Sequence, residues 1–146
     1  LARPTQVNQV VQDTLEFLEP GLTRESIALQ RELSELPLVQ TDPHGLHQVL
    51  TNLVLNARNA LGQVPEDRRQ LKVATRLEQE RLLVQVSDTG PGIEPALQEK
   101  IFQPFFTTRP DGTGLGLSTS REIARSQGGE LRLEPPSTFV LELPLK

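Results

Sequence analysis

The chain has no cysteine among its 146 residues, so it can build neither a disulfide framework nor a thiolate metal site. It lacks an excess of positive charge: 15 Lys and Arg stand against 19 Asp and Glu, for a net charge of −4. Nucleic-acid binding rests on cationic surface, so that class is not expected. No apolar run approaches the ~20 residues that cross a bilayer, and no signal peptide is visible. The expectation is a soluble, intracellular domain without membrane contact of its own. Histidine is scarce, with only His44 and His47. The chain opens on Leu rather than Met, consistent with a segment of a longer protein, and residues 1–146 suit one domain.

What is present concentrates in residues 84–118. Alternation over 82–88 puts Leu82, Val84, Val86 and Asp88 on one face of a strand. The Asp88 carboxylate then ends a row of core side chains, where burial is costly unless a donor such as a purine amine meets it. Gly90 and Gly92 let the backbone turn sharply and leave room for a flat ring. Alone, this is also how an ordinary Asp/Gly/Pro turn reads.

A second turn, Gly112-Thr-Gly114-Leu-Gly116-Leu-Ser118, opens a helix. Its glycines allow close approach to an oligophosphate, and the helix N-terminus supplies free N–H groups and a favourable dipole. A dinucleotide fingerprint would need Gly at 117 and a preceding strand, and a P-loop would need Gly-Lys-Ser/Thr. Neither is present. A linker with a helix cap remains the alternative.

Upstream, Thr41-Asp42-Pro43 is a helix start, with Asp42 as N-cap and Pro43 in the first turn. The helix spans 43–61, burying Leu46, Val49, Leu50, Leu53, Ala57 and Ala60, with Gly62 placed to end it. Asn52, Asn56 and Asn59 form one polar line along it. Asparagine propagates exposed helix poorly, so three in register suggest a cavity wall. A neutral amide oxygen there can ligate Mg²⁺ while phosphates supply the charge. A solvated face that happens to use Asn is the other reading.

Elsewhere, residues 5–19 read as an amphipathic helix stopped by Pro20-Gly21. Ile27 to Leu33 reads as a strand with 38–40 as a short partner, and 70–78 with 81–87 as a hairpin across Gln79-Glu80. Glu94–Phe102 reads as a short helix and 116–127 as the last long one, closed by Gly128-Gly129. Two closing strands flank Pro135-Pro136. The fold class is α/β: a two-layer sandwich, with a mixed, mostly antiparallel sheet and helices on one face.

Asp88-x-Gly90-x-Gly92, Phe102-x-Pro104-Phe105-Phe106, Gly112-x-Gly114-x-Gly116 and the upstream DPHGLHQVLTNLVLNARNA resemble the boxes of sensor histidine kinase catalytic domains, in the family's order and across essentially the whole chain. The resemblance implies the Bergerat (GHKL) ATP-binding fold, with ATP and Mg²⁺ as cofactors. It places Asn56 on Mg²⁺, Asp88 on the adenine amine, and Gly90 and Gly92 beneath the base. Gly112, Gly114 and Gly116 match the lid glycines that meet the phosphates, and Arg109 would reach the terminal phosphate. Thr138 matches a threonine of the adenine-side network. Asn59, Thr108, Leu115 and Leu117 complete the expected nucleotide contacts.

Two departures stand out. Many relatives carry Lys or Arg three residues after the Mg²⁺ asparagine, where this chain has Asn59, with Arg58 one place off. The pattern Asn56-Ala-Arg-Asn-Ala60 is similar to the subgroup that includes nitrogen-regulation sensors. The last glycine box is shortened to Pro135-Pro136-Ser137-Thr138-Phe139.

ATPases of the same fold carry a general-base Glu four residues before that asparagine. Here Asn52 takes this place at the reacting phosphate and is no base at neutral pH. Transfer to a separate acceptor is therefore expected over hydrolysis, with a serine kinase and a nucleotide-independent interaction module as alternatives. The implied acceptor is a histidine on a dimerisation hairpin of the same protein, and a response regulator follows. The implied setting is the cytoplasm, as part of a membrane-anchored sensor. Segment 105–115 is expected to form a lid anchored by Phe102, Phe105 and Phe106.

Overall fold

A computed structural model describes residues 1–106 and 116–145. The elements in chain order are β1 (Arg3–Thr5), α1 (Val7–Arg24), β2 (Ala28–Leu33), β3 (Val39–Thr41), α2 (Pro43–Leu61), β4 (Gln70–Glu78), β5 (Arg81–Asp88), α3 (Gly116–Ser126), β6 (Glu130–Glu134) and β7 (Thr138–Pro144).

Five strands form one sheet in the order β2-β4-β5-β7-β6. The β2–β4 pair is parallel and the other three are antiparallel. Alternation sends Leu71, Val73, Leu82, Val84, Val86, Leu131, Phe139, Leu141 and Leu143 to one face, where they share a core with Val11 and Leu15 of α1 and Leu50, Leu53 and Leu61 of α2. This is the expected two-layer arrangement. On the outer face Leu83 and Val140 are also buried. They pair in register with Arg76 and Arg132, whose side chains reach along the sheet to Gln85 and Glu142. Arginine stems thus cover apolar surface while their charged ends stay hydrated. None of the described helices is long and apolar enough to cross a membrane.

α2 begins and ends where the sequence places it. Asp42 Oδ1 accepts from the His44 N–H at 3.0 Å, and Leu61 is followed by Gly62. Gly62 has ordinary right-handed torsions, so no left-handed cap is formed there. The 79–80 hairpin is also found, with Gln79 and Glu80 both at positive φ, the backbone twist that two-residue hairpins favour.

Three expectations are corrected. α1 does not stop at Pro20 but continues to Arg24, because Leu22 is drawn into the core and the proline ring lies on the exposed side. The carbonyl that Pro20 leaves without a donor belongs to exposed Glu16, where water can satisfy it. β3 pairs with β1, not with β2; a three-residue strand carries too little pattern to reveal its partner. Segment 94–102 forms only a single 3₁₀ turn, Pro95–Leu97, followed by further turns. Nine residues are too few to hold an α-helix without a face to bury, and only Ile101 is buried here.

Candidate nucleotide site

α2 is the ruler of the site. Three of its positions, Asn52, Asn56 and Ala60, follow at four-residue spacing on one side. Helical rise puts Asn52 and Ala60 about 12 Å apart. At the first of these lies the opening turn of α3: Asn52 Nδ2 donates to the Gly116 carbonyl at 3.3 Å and to Ser120 Oγ at 3.0 Å. At the other end sits the turn after β5, where a methyl group added to Gly90 would meet Ala60 Cβ at 3.1 Å. α3 and α2 run antiparallel, since Gly45 faces Ile123 and the Asp42 N–H donates to Gln127 Oε1 at 3.0 Å. The N-terminus of α3, with its free N–H groups, therefore opens toward Asn56.

Asn56 is half-buried between these ends, and among the described residues its side chain has no hydrogen-bond partner. That suits a group reserved for a ligand. No cluster of three His, Cys, Asp or Glu that could hold a metal exists among the described residues. Asn56 could supply one neutral amide oxygen to a cation whose charge the anionic groups of a ligand would balance. Asn59 is exposed, so the polar line is half-buried at Asn52 and Asn56 and turns to solvent at Asn59. Arg58 points to the other side of the helix, where it is ion-paired with Glu25 at the end of α1. It is no substitute for the missing cation at 59.

Asp88 closes β5 opposite Leu71. Burial pushes its carboxyl up from the ordinary value, and the Gly90 N–H, donating to Oδ1 at 2.7 Å, opposes that shift. One oxygen is thus held by the turn, and the other makes no hydrogen bond among the described residues. Gly92 is required by its backbone: its φ is +79°, and a methyl group there would meet Pro136 Cβ at 2.6 Å. The Ile93 N–H donates to the Pro136 carbonyl at 2.9 Å, fastening the turn to the β6–β7 connection.

The structure does not bring Thr138 to Asp88. Thr138 pairs with Ser87, and their hydroxyls lie 2.9 Å apart on the outer face, away from the helices. The pleat decides this, because neighbours of an inward residue point outward. The residue that reaches Asp88 is Ser137, whose Oγ donates to the Asp88 carbonyl at 2.8 Å. Thr89 also escaped the sequence reading; its hydroxyl donates to the Arg68 carbonyl at 2.7 Å and accepts from the Gln70 N–H at 3.0 Å. Both are short-range polar ties of a turn whose partners lie far away in sequence. Ser120 was missed as well, although a buried serine four residues after Gly116 was a possible signal.

Leu117 is half-buried and packs on the core just inside α3. Phe102 is held edge-on to Phe139, with the Arg121 guanidinium 4.5 Å above its ring. Phe106 packs against the core, but Phe105 is 73 % exposed at φ 68°, so it does not share in the anchor. Thr108, Arg109, Gly112, Gly114 and Leu115 lie outside the described residues. A cavity of about 580 Å³ adjoins the turn at Gly90, lined by Gln63, Val64, Arg68, Thr89 and Pro91, but includes neither Asn56 nor Asp88.

Comparison with known proteins places the chain in a family. Residues 41–146 match the family described as histidine kinase-, DNA gyrase B-, and HSP90-like ATPase. The sensor protein TdiS of Thauera aromatica is 34 % identical over 97 % of this chain and 27 % of its own length. The signal transduction histidine-protein kinase AtoS of Escherichia coli is 33 % identical over 95 % of this chain and 23 % of its own. The chain therefore spans about a quarter of the length of these relatives. Among solved structures, the nucleotide-free catalytic domain of histidine kinase ThkA superposes with a TM-score of 0.86, at 31 % identity, covering 99 % of this chain and 96 % of that one. ThkA in complex with the response regulator TrrA gives 0.82 at 30 % identity, with 99 % and 42 % covered. The chain belongs to the family of histidine kinase-, DNA gyrase B- and HSP90-like ATPases, and in sequence and fold it is a histidine kinase catalytic domain.

Proposed function

We propose that this domain binds Mg-ATP along α2 and donates the γ-phosphoryl group to a histidine on a separate dimerisation hairpin of the same sensor protein, from which a response regulator is charged. One observation supports this most strongly. A half-buried carboxylate stands by the turn that approaches Ala60 and a helix N-terminus lies against Asn52, two positions about 12 Å apart along α2 by helical rise, and between them is Asn56, whose side chain has no hydrogen-bond partner among the described residues.

Each residue then has a definable task. Asp88 accepts from the 6-amino group of adenine; guanine presents a carbonyl there and is rejected. Gly90 and Gly92 keep the turn low enough for the base to lie over it. Asn56 holds Mg²⁺, which neutralises phosphate charge when bound. The N–H groups of α3's first turn, and Arg109, Gly112 and Gly114 before it, meet the phosphates. Since Asn52 offers no proton acceptor comparable to a carboxylate, water is not activated, and the phosphoryl group waits for its acceptor.

Neither histidine of the chain is suited to be that acceptor. Both lie in the first turns of α2 rather than on a separate hairpin, and His47 Nδ1 lies 2.7 Å from Thr14 Oγ1. Thr14 already donates to the Val10 carbonyl, so the His47 nitrogen that faces it is the donor. The working site is the cytoplasm, where ATP is supplied, within a sensor whose other segments carry the signal.

The test has two parts. Calorimetric titration with ATP, with and without Mg²⁺, establishes the site; absence of binding in every condition overturns the reading. Incubation of the longer protein with labelled ATP then identifies the acceptor. Acid-labile phosphate on a hairpin histidine is expected, whereas acid-stable label points to serine, and label on His44 or His47 contradicts the assignment.

A further inference from the structure

We propose that Asn52 is a positioning residue: its side-chain amide fixes the first turn of α3 against α2 and so sets the phosphate end of the nucleotide site. The second half rests on the nucleotide-binding reading; the first stands on geometry alone.

The orientation of the amide is decided by chemistry. The Gly116 carbonyl can only accept, so the group facing it at 3.3 Å is the NH₂ of Asn52. The second N–H of the same group goes to Ser120 Oγ at 3.0 Å, and Ser120 is fully buried. Both donors are thus spent on α3, one turn apart. A carboxylate at position 52 would set oxygen against the Gly116 carbonyl and could make neither bond as a donor. The position that serves a general base in hydrolases of the fold is here chemically committed to holding a helix.

That helix needs holding. α3 has 11 residues, a length at which an isolated helix is marginal in water. Its far end is tied to α2 through Gln127 and through the close approach of Ile123 to Gly45. Asn52 adds a tie at the near end, where Gly116 is exposed and, among the described residues, a methyl group added to it would find nothing nearer than Asn52 Cγ, at 4.0 Å. Releasing this tie lets the first turn fray, and the N–H groups aimed toward Asn56 lose their direction.

The experiment compares the whole chain with Asn52→Leu, Ser120→Ala, the double variant and Gln48→Ala, an exposed position on α2 that serves as control. Leucine keeps the approximate shape and adds no charge that would itself repel phosphate. Amide hydrogen exchange over 120–123, whose N–H groups bond to the carbonyls of the first turn, is expected to accelerate about fivefold to tenfold in Asn52→Leu, from the loss of the bonds. Ser120→Ala should show a smaller increase, and the double variant should be no faster than Asn52→Leu. Gln48→Ala should match the parent. In titrations, Asn52→Leu and Ser120→Ala should weaken ATP binding by several-fold more than adenosine binding, because the base end lies two turns away. Unchanged exchange, additive effects in the double variant, or equal weakening for adenosine and ATP each overturn the proposal. If the parent chain binds no nucleotide, the functional reading falls and the exchange data still decide the tie. Should Asn52→Leu fail to fold, Ser120→Ala carries the same comparison.

Discussion

Replacing Asp88 by Asn separates what this residue does for binding from what it does to stability. The asparagine carbonyl oxygen can keep the 2.7 Å bond from the Gly90 N–H, so the turn is retained. The remaining carboxylate oxygen becomes an NH₂, a donor facing the donor amine of adenine. A hydrogen bond to a charged group contributes roughly 1.5–3 kcal/mol, and its loss here leaves the amine unsatisfied, so ATP affinity should fall by about two orders of magnitude.

Stability should move the other way. Burial raises the Asp88 carboxyl above its ordinary 3.8, so the folded chain holds this proton more tightly than the unfolded one. Below the unfolded value both states are protonated and nothing is lost. As pH rises from there through the raised folded value, the unfolded state is favoured progressively, and at neutral pH Asp88 is a net liability. Asn carries no such term. The variant should be more stable than the parent at pH 7, with a higher Tm, and the gain should vanish toward pH 4. Calorimetric titration with Mg-ATP and thermal melts from pH 4 to 8 read both effects. Retained affinity within threefold, or a fall in Tm at pH 7, would refute the reasoning. In the parent chain, ATP binding should weaken as pH drops through the raised Asp88 value, because the protonated acid accepts less well.

Other outcomes follow from the same geometry. Asn56→Ala should abolish the Mg²⁺-dependent part of ATP affinity while leaving adenosine binding within twofold, measured by titration with and without the metal. Arg58→Ala should leave ATP affinity unchanged and lower stability by less than about 1 kcal/mol, since both members of its ion pair with Glu25 are more than a third exposed; a large loss of affinity would mean Arg58 does serve the phosphates. Gly92→Ala should cost about 1–3 kcal/mol from the left-handed backbone and the contact with Pro136. Gly129→Ala should prevent folding altogether, because its methyl group would fall 1.9 Å from the Glu142 carbonyl oxygen. Denaturant melts that rank Gly129→Ala as the milder of the two would contradict the packing described.

The site was legible in the sequence wherever a residue's role is set by its own type and near neighbours. Asp42 and Pro43 start α2, alternation brings Asp88 to the inward face, and the spacing of Asn52 and Asn56 puts both on one side of a helix. These depend on backbone periods that do not wait for a tertiary partner. What only the folded chain decided are the relations between distant segments: α1 running past Pro20 to bury Leu22, β3 joining β1, and Arg58 turning to Glu25. Thr138 and Ser137 are adjacent, and pairing register alone sends the first to Ser87 on the outer face and gives Asp88 to the second. The same holds for Asn52. Its identity excludes a base, but its work on α3 depends on a carbonyl and a hydroxyl more than sixty residues away, brought within 3.3 Å by helix packing. Local periodicity placed the groups on their elements; burial of the shared core chose which of them meet.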